Sequence, residues 1–228
     1  RTAHHSSTMK PATKLDKQQA RSWIRETLEK GSKSDIRALF AFDRTYPDKE
    51  VLFLFSLWAR HFFPQYFKSP DAPFHKDIDT FNLRAYRGTL DAFVNIVFRG
   101  GAKTTRTKLF VAFVIANDLD HSRKFFKVLT KDVANAKQIV TDVFNMLITP
   151  RVAHYYSELF EKSVEKREET MHSFTTATGV KFRAGTVGTD QRGQLQEDAR
   201  PDFIWFDDFE TRKTLRSAVE TQAIGDNM

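Results

Sequence analysis

Three stretches of the sequence predict an α/β fold, a mainly parallel sheet flanked by helices and built around a phosphate-binding loop. Residues 92–105, AFVNIVFRGGAKTT, read as a buried strand running into a glycine-rich turn and then a Lys-Thr pair that opens a helix. Residues 125–148 read as another strand followed by another helix, continuing the βαβ rhythm of a parallel sheet, whose crossovers are right-handed. Residues 202–210, DFIWFDDFE, read as an apolar strand, expected to be buried on both faces, that ends in adjacent carboxylates.

Each part of the first stretch has a physical reason. Backbone N–H groups must approach phosphate oxygens closely, so the turn needs small residues, here Gly100, Gly101 and Ala102. The helix behind them adds the partial positive charge of its N-terminus. Lys103 has the reach for β- and γ-phosphates, and the Thr104 hydroxyl suits Mg²⁺. In the strict pattern G-x-x-x-x-G-K-[ST] the two glycine positions fall on Val97 and Ala102, so this loop departs from it. Taken alone, Gly-Gly-x-Lys also reads as a turn with a solvated lysine. The acidic strand is the second half of the signal, because Asp207 and Asp208 side by side at a strand end are costly unless a cation meets them. Alone it also reads as a core strand with solvated acids; the two halves together point to a P-loop nucleotide hydrolase.

The remaining elements follow in chain order. Residues 1–13, with RTAHHSST ahead of Met9, read as a tag remnant and disordered lead. A helix is predicted over residues 14–30, with Trp23, Ile24, Thr27 and Leu28 on one face, Asp16 as N-cap and Gly31 as stop, and a second short one over residues 34–42. Residues 51–63, VLFLFSLWARHFF, are apolar almost all round and predict a helix sandwiched between layers that stops at Pro64. A loop at residues 69–74 leads into a mixed helix, and residues 14–90 read as an N-terminal helical subdomain on a core of residues 91–228. Residues 104–117 predict a helix whose centre is entirely apolar and therefore buried. Thr130 is the expected cap of a helix over residues 132–148, where Val133, Ala136, Val140, Val143 and Leu147 recur at helical spacing. Residues 152–167 predict a further helix ending in a solvated charge run, and residues 172–184 a hairpin turning at Thr178-Gly179. Residues 185–200 are Gly-rich and too polar for a core, and read as a loop facing the nucleotide or a neighbouring subunit.

Composition narrows the class. A chain of 228 residues suffices for one sizeable α/β domain with an appendage. Cysteine is absent, which excludes a disulfide framework or thiolate metal site and fits a reducing compartment. No apolar run approaches a membrane span, no secretory signal is visible, and the histidines lack metal-ligand spacing. The 22 phenylalanines read as core packing. A net charge of +7 favours a polyanionic partner, since each Lys or Arg that meets a phosphate releases counterions, and beside a nucleotide site it suggests a machine working on DNA or RNA.

Arg99-Gly100-Gly101-Ala102-Lys103-Thr104-Thr105 resembles the phosphate loop of large terminase subunits of tailed bacteriophages, where Arg-Gly-x-[Gly/Ala]-Lys-[Ser/Thr] replaces the stricter pattern. Residues 200–210, RPDFIWFDDFE, are similar to that family's acidic motif, Arg192-Gly193 resembles the Arg-Gly preceding it, and Pro73-Phe74-His75 is similar to its N-terminal region. The resemblance covers about residues 53–210. It implies an additional-strand P-loop ATPase using ATP and Mg²⁺ to drive double-stranded DNA into a preformed capsid, in the host cell cytoplasm. It also implies a ring, expected to be pentameric, docked on a portal protein and working with a small terminase subunit, without a membrane. The chain stops at Met228, before the family's coupling motif and RNase H-like nuclease, so an ATPase fragment without cleavage activity is expected.

Carried onto this sequence, the resemblance implies that residues 99–105 cradle the phosphates, Thr104 binds Mg²⁺ directly and Asp207 holds it through water. Asp208 stands where the family often has Glu and is expected to orient the attacking water; Glu210 is the rival, or else a helix-capping or surface acid. Arg99 is expected to touch the γ-phosphate from the same subunit, or to close a strand-end salt bridge. Arg192 is read either as an arginine finger for a neighbouring subunit's nucleotide or as a solvated loop residue. Tyr86 and Arg87 are open between stacking on the base and lying at the surface. Two other classes remain: a helicase, whose Asp-Glu-x-[Asp/His] and strict Gly-Lys-Thr fit poorly, and a nucleotide-gated assembly module without hydrolysis, favoured by Ala102, Asp208 and the missing coupling segment.

Overall fold

In the computed structural model, which describes residues 17–92, 98, 100–160, 172–187 and 200–208, one sheet of four strands carries the fold. Strand β1 (Phe125–Thr130) pairs in parallel with β3 (Lys181–Thr186) and with β4 (Phe203–Phe206), while β2 (Ser173–Thr175) runs antiparallel to β3. The order is β2-β3-β1-β4, a mixed sheet of the α/β class. The predicted hairpin is β2 and β3, and Gly179 at its turn has φ +83°, a conformation glycine adopts freely.

Strand alternation decides which side chains the sheet buries. Phe126 stands opposite Phe182 and Phe203, and Val128 opposite Ala184 and Trp205, so these six share one buried face. Helices α4 (Pro73–Tyr86), α5 (Lys103–Asn117) and α6 (Val133–Ile148) pack over it, with the Tyr86 ring stacked on Phe126 at 6.1 Å. Ile204 points to the opposite face and is 48% exposed. The expectation that this strand is buried on both faces is therefore wrong, because the helices that bury Phe203 and Trp205 lie on one side.

The N-terminal helices join the same core. In α3 (Asp48–Phe62) Val51, Leu54, Phe55, Trp58 and Phe62 are buried, with Phe55 edge-on to Phe110 of α5 at 5.6 Å. Phe53 is exposed, so the helix packs on one side rather than between two layers. Before it, α1 (Lys17–Lys30) ends at Gly31 but leaves Trp23 exposed, and α2 (Lys33–Phe40) starts at a Ser32–Asp35 capping box. The core segment Leu109–Ile115 of α5 is fully buried, as its apolar run predicts.

Two expected caps and boundaries differ. The N-cap of α6 is Asp132, whose carboxylate accepts from Asn135 N at 2.9 Å, and Thr130 instead donates its hydroxyl to the Asp132 carbonyl. The predicted helix over residues 152–167 is replaced, up to residue 160, by the short α7 (Pro150–Ala153) and one 3₁₀ turn, Ser157–Leu159. Tyr156 explains the break: its ring is buried and its hydroxyl donates to Asn117 Oδ1 of α5 at 2.7 Å, a position a continuing helix need not reach. The predicted cap Asp16, most of the strand before the glycine-rich turn and residues 161–167 lie outside the described residues. Among the described residues no helix is long and apolar enough to cross a membrane.

Candidate phosphate and metal site at the head of α5

Helix α5 begins at Lys103, directly after a turn that holds two residues in the left-handed region. Gly100 has φ +89° and open space around its Cα, so its requirement for glycine is conformational rather than steric. Ala102 has φ +57° at the position where the strict pattern places its second glycine, which costs an L-residue about 1–2 kcal/mol. Ala102 at its N-cap has no side chain to cap it, unlike Ser32 of α2 and Asp132 of α6, so among the described residues the first N–H groups of α5 receive no N-cap side-chain acceptor.

The second half of the site arrives with β4. Asp207 extends the ladder beside β1, its N–H donating to Leu129 O at 3.0 Å. Its carboxylate accepts the Thr104 hydroxyl at 2.9 Å to Oδ2 and 3.2 Å to Oδ1, a contact between residues 103 apart in sequence. Asp207 is only 7% exposed, and burial pushes its carboxyl above the usual carboxylate range. The Thr104 hydrogen bond and the Lys103 charge pull against that shift, while the Asp208 charge adds to it. The result is a buried acid in contact with a neutral donor: the Lys103 and Lys108 charges act on it, but among the described residues neither closes an ion pair with it.

That donor set fits Mg²⁺. The Thr104 hydroxyl gives its hydrogen to Asp207 and keeps its lone pairs for a cation, and Mg²⁺ favours one or two protein oxygens completed by water and substrate phosphates. Among the described residues no cluster of three His, Asp or Glu side chains could hold a metal alone, so phosphate oxygens and water would have to supply the rest.

Asp208 lies beside this pair with φ +45°. Its carboxylate faces Lys131 Nζ at 3.3 Å, and Lys131 N donates to its carbonyl at 3.4 Å. Sequence reasoning missed Lys131; its position just past a strand end, level with the acidic pair, was the available signal. Arg99, Arg192, Gly193 and Glu210 lie outside the described residues. Tyr86 is not a base-stacking residue: it is buried, its hydroxyl donates to Asp118, and burial with that neighbour raises the phenol far above its ordinary value. Arg87 is tied to Asp48 and to the Tyr46 carbonyl.

A third group at this helix head also escaped the sequence. Arg106, one turn after Lys103, is buried and holds both carboxylate oxygens of Asp79 on α4, through Nε at 2.9 Å and through Nη2, and reaches Asp71 at 2.8 Å. Asp71 in turn accepts from Arg60. In the sequence it stands among polar residues, between Thr105 and Thr107 and ahead of the apolar run, so nothing local marked it as buried.

Fold and site together define an α/β protein whose glycine-rich helix head is set against a buried acidic strand end. Compared with protein-family models, curated proteins and solved structures, the chain matches none of them.

Proposed function

We propose that this chain is a Mg²⁺-dependent ATPase of the additional-strand P-loop class, the ATPase part of a terminase that drives double-stranded DNA into a capsid. The observation that carries the nucleotide reading is the Thr104–Asp207 contact, which sets a hydroxyl next to Lys103 against an under-neutralised carboxylate. Hydrolysis of this kind is mostly positioning and electrostatics. Lys103 offsets phosphate charge, Thr104 and Asp207 bind the ion and its water, and Asp208 orients the attacking water. Mg²⁺ supplies neutralisation of charge developing on the phosphates. The DNA-packaging half of the reading, with its portal, small subunit and ring, rests on the motif resemblance and the net charge of +7.

The experiment is turnover of Mg²⁺-ATP by the chain and by Lys103→Ala, with and without double-stranded DNA. Turnover that Lys103→Ala loses supports the reading, and DNA stimulation supports its motor half. Equal behaviour of the two proteins overturns the phosphate assignment.

A second reading, a nucleotide-gated assembly module without hydrolysis, is favoured by one feature. Asp208 faces Lys131, which competes with water for its carboxylate. Tight Mg²⁺-ATP binding with no turnover in any assembly state would select it.

A further inference from the structure

Beside the head of α5 lies a cavity of about 240 Å³. Thr105 and Lys108 of α5, Asp142 and Asn145 of α6, and Gln65 and Tyr66 from the 3₁₀ turn Pro64–Tyr66 contribute to its wall. Thr105, part of that wall, directly follows Thr104, so the cavity adjoins the turn of α5 that carries the proposed phosphate and metal site.

The wall chemistry selects its occupant. Lys108 and Asp142 neutralise each other at 2.5 Å, which leaves the wall without net charge and ill suited to another phosphate. Tyr66 is 49% exposed, its ring 6.3 Å from that of Phe63, which also lines the cavity, and so offers an aromatic ring to stack upon. Among the described residues the side-chain amides of Gln65 and Asn145 have no hydrogen-bond partner. Each amide carries a donor and an acceptor side by side. Such an amide pairs with the adjacent N6 donor and N7 acceptor of adenine, whereas guanine presents two acceptors there.

We infer that this cavity receives the adenine base of the nucleotide, with Tyr66 stacking on the ring and Gln65 and Asn145 reading its edge. This rests on the ATPase reading above. It assigns base recognition to residues after α3 and on α6, in place of Tyr86 and Arg87.

The test uses titration calorimetry of Mg²⁺-ATP, Mg²⁺-GTP and inorganic tripolyphosphate against the chain, Tyr66→Ala, the double variant Gln65→Leu/Asn145→Leu, and Lys103→Ala. Tyr66, Gln65 and Asn145 are exposed, so their variants should keep the parent's thermal melt. Loss of one base–aromatic stack should weaken Mg²⁺-ATP binding by about tenfold or more in Tyr66→Ala, with tripolyphosphate affinity unchanged. The double variant should lose the preference for ATP over GTP. Wild-type ATP affinity and preference in these variants, or an equal loss of tripolyphosphate binding, overturns the base site. If Lys103→Ala still loses tripolyphosphate in that case, the phosphate reading survives. A wild-type chain that binds neither tripolyphosphate nor Mg²⁺-ATP overturns both.

Discussion

Asp79 and Asp207 both sink a carboxylate against the first two turns of α5, and the two are met in opposite ways. Asp79 is gripped by the Arg106 guanidinium, which is itself shared with Asp71, and the chain of charge closes at Arg60. Asp207 receives a neutral hydroxyl. Burial raises the carboxyl of both, but the counter-charge at Asp79 is in direct contact, whereas for Asp207 the hydrogen bond from Thr104 is the larger opposing influence. A buried acid with its own guanidinium is a clamp. A buried acid without one is where the proposed Mg²⁺ would be met, and the clamp fixes α4 to the same helix that carries Thr104.

Breaking the clamp should have the largest effect. Arg106→Ala leaves Asp79 buried and unpaired, and is expected to cost about 3–5 kcal/mol in urea unfolding. The double variant Arg106→Leu/Asp79→Leu should recover much of that loss, since apolar replacement of a whole buried pair is often tolerated. If Arg106→Ala unfolds like wild type, the clamp is not structural.

The opposite sign is expected at the site. Asp207→Asn removes a charge that burial disfavours, and should gain about 0.5–2 kcal/mol in nucleotide-free, Mg²⁺-free buffer, about 1–8 °C in Tm. Because the folded carboxyl is raised, its contribution is fully present below the unfolded value of about 3.9 and is lost as pH rises through the folded value. The variant's advantage should therefore be near zero in acid and grow as pH rises past that range. Saturating Mg²⁺-ATP should reverse the ranking, stabilising wild type by about 2.7 kcal/mol at a hundredfold excess over Kd and the variant by much less. An Asp207→Asn protein that is less stable at neutral pH, or protected equally by Mg²⁺-ATP, would erase the contrast with Asp79.

The smallest effect sharpens the comparison at its edge. The Lys131–Asp208 pair is solvent-facing, so Lys131→Ala should change stability by less than about 1 kcal/mol. Its signature should be a several-fold lower kcat with nucleotide affinity intact, if Lys131 holds Asp208 where it orients water. Unchanged kcat would make the pair a surface ion pair and nothing more.

Local patterns carried the fold a long way. The unbroken run Leu109–Ile115 could only be a buried helix centre, the spacing of Ala136, Val140, Val143 and Leu147 marked the buried face of α6, with Val133 at its head left exposed, and Gly179 marked the hairpin turn. The site was half legible in the same manner, because Lys103 and Thr104 are covalent neighbours and Asp207 closes an apolar strand. Where two neighbouring residues competed for one role, as Thr130 and Asp132 did for the α6 cap, the sequence left the choice to backbone geometry.

The sequence by itself determined which segments are helix and strand wherever an apolar period ran long enough, and which residue types could meet a phosphate. Covalent spacing alone sets those properties. Only the tertiary structure decided that Thr104 touches Asp207 across 103 residues, that Arg106 belongs to Asp79, that Tyr86 is core rather than contact, and that Ile204 looks outward. Those depend on how α4, α5 and α6 stack on one face of the sheet, and a pairing between distant elements leaves no period in the chain to read.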